Sequence, residues 1–394
     1  MSVTIDQFLG IRNTVPAQSL KPGELAEAVN VVIDDDGQRL RRRPGRTLLQ
    51  SGARHSLWGS ANVSLYRQDD KLYRVNPDLT TSTLVASGLA RQETQYLDHP
   101  DVVFLCDGVS ALQYRDGRLS PWGITPPAQQ PLAAEIGGRL PRGRYQYALT
   151  FLRADGEESG TGRASLIVAG GGIRFTAIAV SLDPSVYYKA IYLSGPDGKT
   201  LKRALLIPNA STEATYTGDT LDYGVSLETQ FKQPPPPGQI LAEHNGRVLV
   251  AVGEHLLYSD PYLPERFDPI RQGYRYESAI TIVAPVGDGV YVGTEKRLRF
   301  MAGEDIASAS EIVKAEYGAL YGSLGHCEAQ DLTGGQTEEV CAVFSTERGV
   351  CEGLPGGQII NLTLKDYKFP AVKRGAGIVI HDPGRKRYVA ALRR

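Results

Sequence analysis

Residues 94–124 read TQYLDHPDVVFLCDGVSALQYRDGRLSPWGI and contain four short runs of strand-forming residues with turns between them. The run at 102–105 is continuously apolar, which is typical of an inner strand. Asp-Gly pairs at 107–108 and 116–117 tolerate the backbone of tight hairpin turns. A strand–turn–strand unit of this size, repeated without helices, predicts the blades of a β-propeller or the strands of a β-sandwich.

The same pattern continues on both sides of this stretch. Alternating runs at 64–67 and 71–75 flank Gln68-Asp69-Asp70, and further paired runs follow residue 239. We therefore assign 51–125 to the first propeller blades and 239–394 to the remaining ones. At about 40–45 residues per blade, the chain accommodates about five to seven blades, some of them incomplete. Short helices are expected only near Leu25 and over 306–310.

A different module is predicted between Pro-rich segments at 126–131 and 233–238. Residues 143–151 alternate strictly, with Tyr145, Tyr147, Leu149 and Phe151 on one face. Several strands of this kind over about 100 residues favour an inserted β-sandwich of fibronectin type III or immunoglobulin style across 126–238. The second Pro-rich segment is interpreted as a stiff spacer, with a docking site for a partner as the alternative.

The first fifty residues form an N-terminal arm that ends in a predicted hairpin. Its first strand, 31–33, runs into Asp34-Asp35-Asp36-Gly37 and returns through Arg41-Arg42-Arg43 to Pro44-Gly45. The arginines are either edge-strand charges that discourage unwanted pairing or contact residues. The aspartates suit an acidic turn better than a cation site, because no distant bidentate glutamate accompanies them.

The segment PGELAEAVNVVIDDDGQRLRRRPG at 22–45 resembles the N-terminal signature of tail nozzle and head-to-tail stopper (packaged-DNA-stabilisation-like) β-propeller proteins of short-tailed bacteriophages. A later stretch, LYSDPYLPERF, resembles a loop of the same proteins, and 260–269 is expected to be a Pro-punctuated loop. The residues that carry the signature, and are candidate contacts between subunits, are Pro22, Gly23, Glu24, Ala28, Asn30, Gly37, Arg41, Arg42, Arg43, Pro44 and Gly45. The candidate contact loop contains Asp260, Pro261, Pro264, Glu265, Arg266 and Phe267.

The resemblance implies a structural virion protein that forms a ring, commonly a hexamer, around the DNA channel below the portal and adaptor. It implies contacts with adaptor or portal-side proteins and with tail fibre or tail needle proteins, and DNA that passes without sequence recognition. Such a protein is assembled in the cytoplasm of the bacterial host and resides in the virion. The arm could close the propeller by giving a strand to the last blade. Two alternatives are a tail-tip protein that binds a receptor or glycan through the inserted module, and a carbohydrate-active propeller enzyme.

Composition and motifs exclude several other classes. With 43 Lys and Arg against 44 Asp and Glu among 394 residues, the chain lacks the basic excess of a general nucleic-acid binder. Neither a secretory signal nor an apolar run of membrane-spanning length is expected. The four cysteines form no C-x-x-C pair and are expected to be reduced and buried. The histidines form no H-E-x-x-H, and neither a nucleophile elbow nor a P-loop is found, so we expect no catalytic residue, metal or cofactor.

Overall fold

The computed structural model describes residues 7–33, 39–43, 45, 47–218, 224–328, 339–369, 371–382 and 385–393. Within these ranges the chain is all-β, with only three short 3-10 helices at Ala17–Ser19, Ile306–Ser308 and Pro355–Gly357. The turn at Ile306 confirms one expected helix. The expectation of a helix near Leu25 is wrong, because Glu24–Leu25 pairs in parallel with Gly10–Ile11.

The arm contributes four short strands. They are β1 (Gly10–Ile11), β2 (Glu24–Leu25), β3 (Val31–Ile33) and β4 (Leu40–Arg42). The predicted hairpin is confirmed, since β3 pairs antiparallel with β4 in the register Val31 opposite Arg42. The suggestion that the arm gives a strand to the last blade is wrong for the described residues, where β3 pairs with β4 alone.

The first two blades precede the inserted module. Blade 1 contains β5 (His55–Gly59), β6 (Ser64–Gln68), β7 (Lys71–Val75) and β8 (Ser82–Ala86). Blade 2 contains β9 (Gln95–His99), β10 (Val102–Cys106), β11 (Ala111–Arg115) and β12 (Arg118–Pro121), so the four runs of the opening stretch form one four-stranded sheet.

The inserted module contains β13 (Leu132–Arg153), β14 (Ser165–Thr176), β15 (Val186–Ser194), β16 (Leu201–Pro208) and β17 (Ala214–Tyr216). It is all-β, as expected, but its strands form one continuous antiparallel sheet, bent into a half-barrel, instead of two separate sheets. Two register shifts between Ile136 and Gly143 interrupt the pairing of β13 with β14. Because such irregularities bend a strand, one long strand serves both halves of the sheet. Tyr145, Tyr147 and Leu149 lie in the core that the bend encloses.

Three further blades and a hairpin follow the insert. Blade 3 contains β18 (Ile240–His244), β19 (Arg247–Val252), β20 (His255–Asp260), β21 (Leu263–Phe267) and the added β22 (Gly273–Arg275). Blade 4 contains β23 (Ile280–Val286), β24 (Gly289–Thr294), β25 (Leu298–Ala302) and β26 (Ser310–Ala315). Blade 5 contains β27 (Gly325–Glu328), β28 (Val340–Thr346), β29 (Gly349–Gly353) and β30 (Ile359–Asn361). The last hairpin pairs β31 (Arg374–Asp382) with β32 (Arg385–Arg393).

Apolar seams between neighbouring blades hold the propeller together, and β10 shows how they arise. Val103 and Leu105 pack into the cluster shared with blade 1, whereas Phe104 and its neighbours two residues away pack against blade 3. Alternate side chains of a strand point to opposite faces of its sheet. A strand buried on both faces therefore has the unbroken apolar run that the sequence shows at 102–105. The chain thus forms a β-propeller of five described blades and a terminal hairpin.

The insert is fixed to the propeller at both of its ends. The buried Arg153 guanidinium donates to the carbonyls of Pro121 (3.0 Å) and Gly123 (3.3 Å), where the chain leaves blade 2. The second Pro-rich segment packs on the propeller instead of acting as a detached spacer. The Gly108 amide donates to the carbonyl of Gly238 at 3.1 Å, and Gln233 exchanges backbone hydrogen bonds with Phe267.

All four cysteines lie in the described part of the chain, where they are buried and form no disulfide bond, as expected. Cys327 and Cys341 lie opposite each other on β27 and β28, with their sulfur atoms 3.5 Å apart. Burial raises the pKa of Cys106 to about 12, which keeps its thiol protonated.

Candidate functional site

The predicted signature residues begin with a turn that the arm needs for its own folding. Gly23 is buried with φ of 91°, and a Cβ there would lie 2.2 Å from the Gln7 carbonyl oxygen, so only glycine fits. Glu24 accepts a hydrogen bond from the Lys21 amide at 2.9 Å and one from the Arg12 guanidinium at 2.6 Å. These two bonds lower the pKa of Glu24. Pro22 is exposed in the turn, so Pro22–Glu24 has a local structural role.

The arm is attached to the propeller between blade 5 and the terminal hairpin. Asn13 forms three hydrogen bonds. Its backbone N–H donates to the Asp366 carbonyl, its side-chain Nδ2 donates to the Lys368 carbonyl, and its Oδ1 accepts from the Lys368 backbone N–H at 2.6 Å. The Thr14 hydroxyl donates to the Lys365 carbonyl at 2.8 Å. Sequence reasoning missed this anchor, because Asn13 and Thr14 match no motif and their partners lie about 350 positions along the chain.

The β3–β4 hairpin presents the predicted arginines at the surface. Arg41, Arg42 and Arg43 are all exposed, and so is Gly45. Asn30 closes the open end of the hairpin, because its carbonyl accepts from the Arg43 amide at 2.9 Å and its φ is 59°. Ala28 is half-buried before β3. Gly37 and Pro44, with the acidic turn at 34–36, lie outside the described residues.

The stretch expected to be a contact loop is largely a strand of blade 3. A tight turn at Pro261 and Tyr262 joins β20 to β21, and Tyr262 is 80% exposed. Phe267 is a core residue, 1% exposed, with its ring edge-on to Trp122 at 6.4 Å. The ring packs in the apolar cluster between blades 2 and 3, and the backbone of Phe267 pairs with Gln233.

The remaining candidates of the contact loop are partly buried. Asp260 is paired with Lys232 at 2.7 Å, and Pro264, Glu265 and Arg266 are half-buried on β21. Burial, the largest influence, raises the pKa of Glu265. Exposed Pro261 and the neighbouring Tyr262 are therefore the parts of this stretch that can reach a partner without rearrangement.

A funnel of about 1110 Å³ opens where the inner ends of the blades converge. Its wall includes the acidic side chains Glu93, Asp107, Glu295 and Glu347 and the basic side chains Arg91, Lys373 and Arg374. Tyr321 crosses part of it, donating to the Gln239 carbonyl at 3.1 Å. Binding cavities for small ligands measure about 300–1,000 Å³, so this space is of the size that takes a small molecule or a peptide segment.

Two funnel residues come from a short repeat that sequence reasoning missed. Thr294-Glu295-Lys296-Arg297 and Thr346-Glu347-Arg348-Gly349 form the equivalent turns of blades 4 and 5. In both turns the threonine hydroxyl oxygen accepts from the backbone amide two residues later, which places the glutamate at the funnel. The repeated sequence Thr-Glu followed by a basic residue could have identified these two turns as equivalent.

Among the described residues, no group of three or more His, Cys, Asp or Glu side chains could hold a metal ion. In the same part of the chain, no helix is long and apolar enough to cross a membrane.

Comparisons with known proteins yield only distant structural likenesses. No protein-family model and no curated protein matches the chain. Among solved structures it is similar to a streptogramin B lyase, with 9% identity, a TM-score of 0.33, and coverage of 83% of this chain and 86% of that one. It is also similar to the N-terminal domain of Nup159, with 9% identity, a TM-score of 0.33, and coverage of 90% and 75%. At these identities and scores neither likeness says anything about activity.

Proposed function

We propose that this chain is a structural subunit of a bacteriophage tail, of nozzle or stopper type, which forms a homo-oligomeric ring below the portal and adaptor. In this proposal the DNA channel is the axis of the ring and is lined by several subunits, separate from the funnel of each one. The protein is assembled in the bacterial cytoplasm, resides in the virion and catalyses no reaction. Its partners are copies of itself, adaptor or portal-side proteins, and tail fibre or tail needle proteins.

The observation that carries this proposal is the exposed β3–β4 hairpin beside the disc of blades. The hairpin presents Arg41, Arg42 and Arg43 to solvent and, among the described residues, pairs with no blade. The anchor at Asn13 and Thr14 keeps it attached to the propeller. A rigid disc that carries a protruding contact element at one side is suited to heterologous contacts, which close into a ring when the rotation between subunits allows it.

Ring formation tests the proposal directly. Mass photometry and electron microscopy of the purified chain, alone and mixed with candidate phage adaptor or portal proteins, should reveal rings. The variant Arg41→Ala/Arg42→Ala/Arg43→Ala should weaken assembly at equal protein concentration. A charge-matched control, Arg118→Ala/Arg139→Ala/Arg163→Ala, removes three exposed arginines elsewhere and should assemble normally. A chain that stays monomeric in every mixture would contradict the proposal.

A tail-tip or receptor-binding role is the second candidate, favoured by one observation on the insert. The segment that joins β14 to β15 and the start of β15 expose large apolar side chains: Val180 is 45% exposed, Leu182 is 97% exposed, and Tyr187 is 59% exposed. Exposed apolar clusters mark interaction sites. If this role applies, the purified chain binds host cells, and Leu182→Ser/Tyr187→Ser abolishes that binding without changing ring formation.

A further inference from the structure

Blade 5 holds two cysteine side chains in contact. Cys327 on β27 lies directly opposite Cys341 on β28, and their sulfur atoms are 3.5 Å apart. Directly opposite residues of an antiparallel pair have Cα atoms about 4.5 or 5.5 Å apart, and a disulfide bridges Cα separations of about 4.4–6.8 Å. The backbone is therefore already placed for a disulfide, and a small movement of the two side chains would close it.

The other two cysteines face oxygen atoms instead of sulfur. The Cys106 thiol donates to the Pro236 carbonyl at 3.8 Å, and the Cys351 sulfur lies 3.9 Å from the Thr346 hydroxyl. These two cysteines are 1% and 0% exposed, whereas Cys327 is 7% exposed. Cys327 is therefore the cysteine that a small oxidant reaches first, and Cys106 and Cys351 serve as internal controls.

A carboxyl group contacts the second cysteine of the pair. The Cys341 thiol donates to Glu352 Oε1 at 3.2 Å, and both side chains are fully buried. The hydrogen bond with Cys327, burial and the hydrogen bond to Glu352 all raise the pKa of Cys341, so its thiolate is rare at neutral pH. Because the thiolate is the form that attacks a disulfide, we expect this pair to react slowly. Glu352 lies where it can accept the proton when Cys341 reacts.

We propose that Cys327 and Cys341 are a reversible redox pair, which closes into a disulfide and fastens β27 to β28 when the folded protein meets a small-molecule disulfide such as oxidised glutathione. In the first step the Cys327 sulfur attacks one sulfur of the oxidant, and one thiol leaves with the Cys327 proton. In the second step the Cys341 sulfur attacks the Cys327 sulfur, and its proton passes through Glu352 to the second departing thiol. Two cysteine thiols are oxidised, and the disulfide of the oxidant is reduced to two thiols.

The pair lies beneath the last hairpin, so its closure would act on the support of that hairpin. Val379 of β31 and Tyr388 of β32 pack on the cluster that contains both cysteines. The Tyr388 hydroxyl also donates to the Ser323 carbonyl at 2.5 Å, just before β27. A covalent link between β27 and β28 would therefore stiffen the part of blade 5 on which the hairpin rests.

This inference goes beyond the proposed function and does not depend on it, because the chemistry needs only the pair and an oxidant. Disulfides persist in oxidising surroundings, such as the surface of a virion, and are rare in the cytoplasm. A protein that is assembled in the cytoplasm and then leaves the cell would keep the pair reduced during assembly and close it after release.

Thiol counting on the folded protein tests the pair. The purified chain without substitutions is incubated with excess oxidised glutathione, and the remaining thiols are alkylated after denaturation and counted by mass spectrometry. Two of the four thiols should be lost, and the peptide map should contain a disulfide between Cys327 and Cys341. Dithiothreitol should restore all four thiols.

Matched variants assign the two steps. Cys106→Ser/Cys351→Ser keeps the pair and should form the disulfide at the rate of the unsubstituted chain. Cys341→Ser should stop at a glutathione adduct on Cys327, because the second sulfur is missing. The unsubstituted chain should hold little of that adduct, since its second step releases the glutathione.

Hydrogen exchange measures the effect of closure on blade 5. A disulfide that closes a loop of about 15 residues should slow exchange in β27 and β28 by about 10²-fold, whereas amides of β24 in blade 4 should not change. Four thiols retained by the folded chain, a lasting glutathione adduct without a disulfide, a disulfide that includes Cys106 or Cys351, or equal exchange before and after closure would each overturn the inference. None of these outcomes concerns ring formation, so the proposed function is tested separately.

Discussion

The stability of the seam between blades 2 and 3 should depend strongly on the packing of Trp122. The indole is 2% exposed and stacks on Phe104 with ring centroids 4.0 Å apart and planes 13° from parallel. Phe267 meets its edge at 6.4 Å. Replacement of a buried tryptophan by alanine costs about 3–5 kcal/mol, and two aromatic pairs place Trp122→Ala at about 5 kcal/mol.

A phenylalanine at the same position separates packing from polarity. The Trp122 Nε1 has no hydrogen-bond partner among the described residues, and an unsatisfied buried donor costs about 1–3 kcal/mol. Trp122→Phe keeps a ring on Phe104 and removes that donor, so the two effects offset each other. We expect Trp122→Phe to lose about 1 kcal/mol or less.

Hydrogen exchange measures this seam locally, which matters because a protein of several units need not unfold in one step. With about 1.4 kcal/mol per factor of ten, Trp122→Ala should speed exchange in β10 and β19 by about 10³-fold or more, if those amides exchange through opening of the seam. Amides of β24 in blade 4 should change little. Exchange in β10 and β19 within tenfold of the unsubstituted chain, or equal damage from Trp122→Phe, would refute the reasoning.

Three further predictions concern the insert and the arm. Arg153→Met leaves the Asp183 carboxylate without its 3.2 Å guanidinium partner and should cost about 3–5 kcal/mol, seen as a lower Tm and faster proteolysis at the insert boundary, with Arg153→Lys intermediate. Burial lowers the pKa of Lys189 from 10.5 to about 8, so between these pH values the unfolded state binds more protons than the folded state, and the free energy of unfolding should rise with pH. In thermal melts from pH 7.5 to 9.5, Lys189→Met should lack this rise. An equal rise in both proteins would contradict the prediction. Gly23→Ala should make the arm markedly more sensitive to protease, whereas Gly45→Ala, where a Cβ meets nothing within 4 Å, should not; equal sensitivity would argue against the described turn.

The sequence predicted the propeller because its strands are local and periodic. The apolar run at 102–105 and the Asp-Gly turns around it depend on neighbours in the chain, and the structure confirms them as one blade. The half-barrel could not be distinguished from a sandwich, because alternation specifies a face but not whether a long strand bends. Only the register shifts near Leu140 determine that. Phe267 shows the same limit, since its burial depends on Trp122, 145 positions earlier.

The candidate site was predicted less completely than the fold. Exposure of Arg41, Arg42 and Arg43 agrees with both predicted roles, charges that protect an edge strand and residues that contact another subunit. The anchor at Asn13 was invisible, because polar side chains that bond to distant carbonyls leave no pattern in a single sequence. That the last described hairpin forms a sheet separate from blade 5 could be seen only once the pairing of every earlier strand was known.

Both boundaries of the half-barrel are fastened to the same seam, at Gly123 on one side and at Gly238 on the other. Genetic exchange of the strands β13 to β17 alone would leave the contacts from blade to blade as they were. The outward surface of the half-barrel can therefore diverge from one lineage to the next while the disc is conserved, in the way that antibody loops vary on a constant scaffold. Variation among relatives should then concentrate on the outer strands and tip of this module.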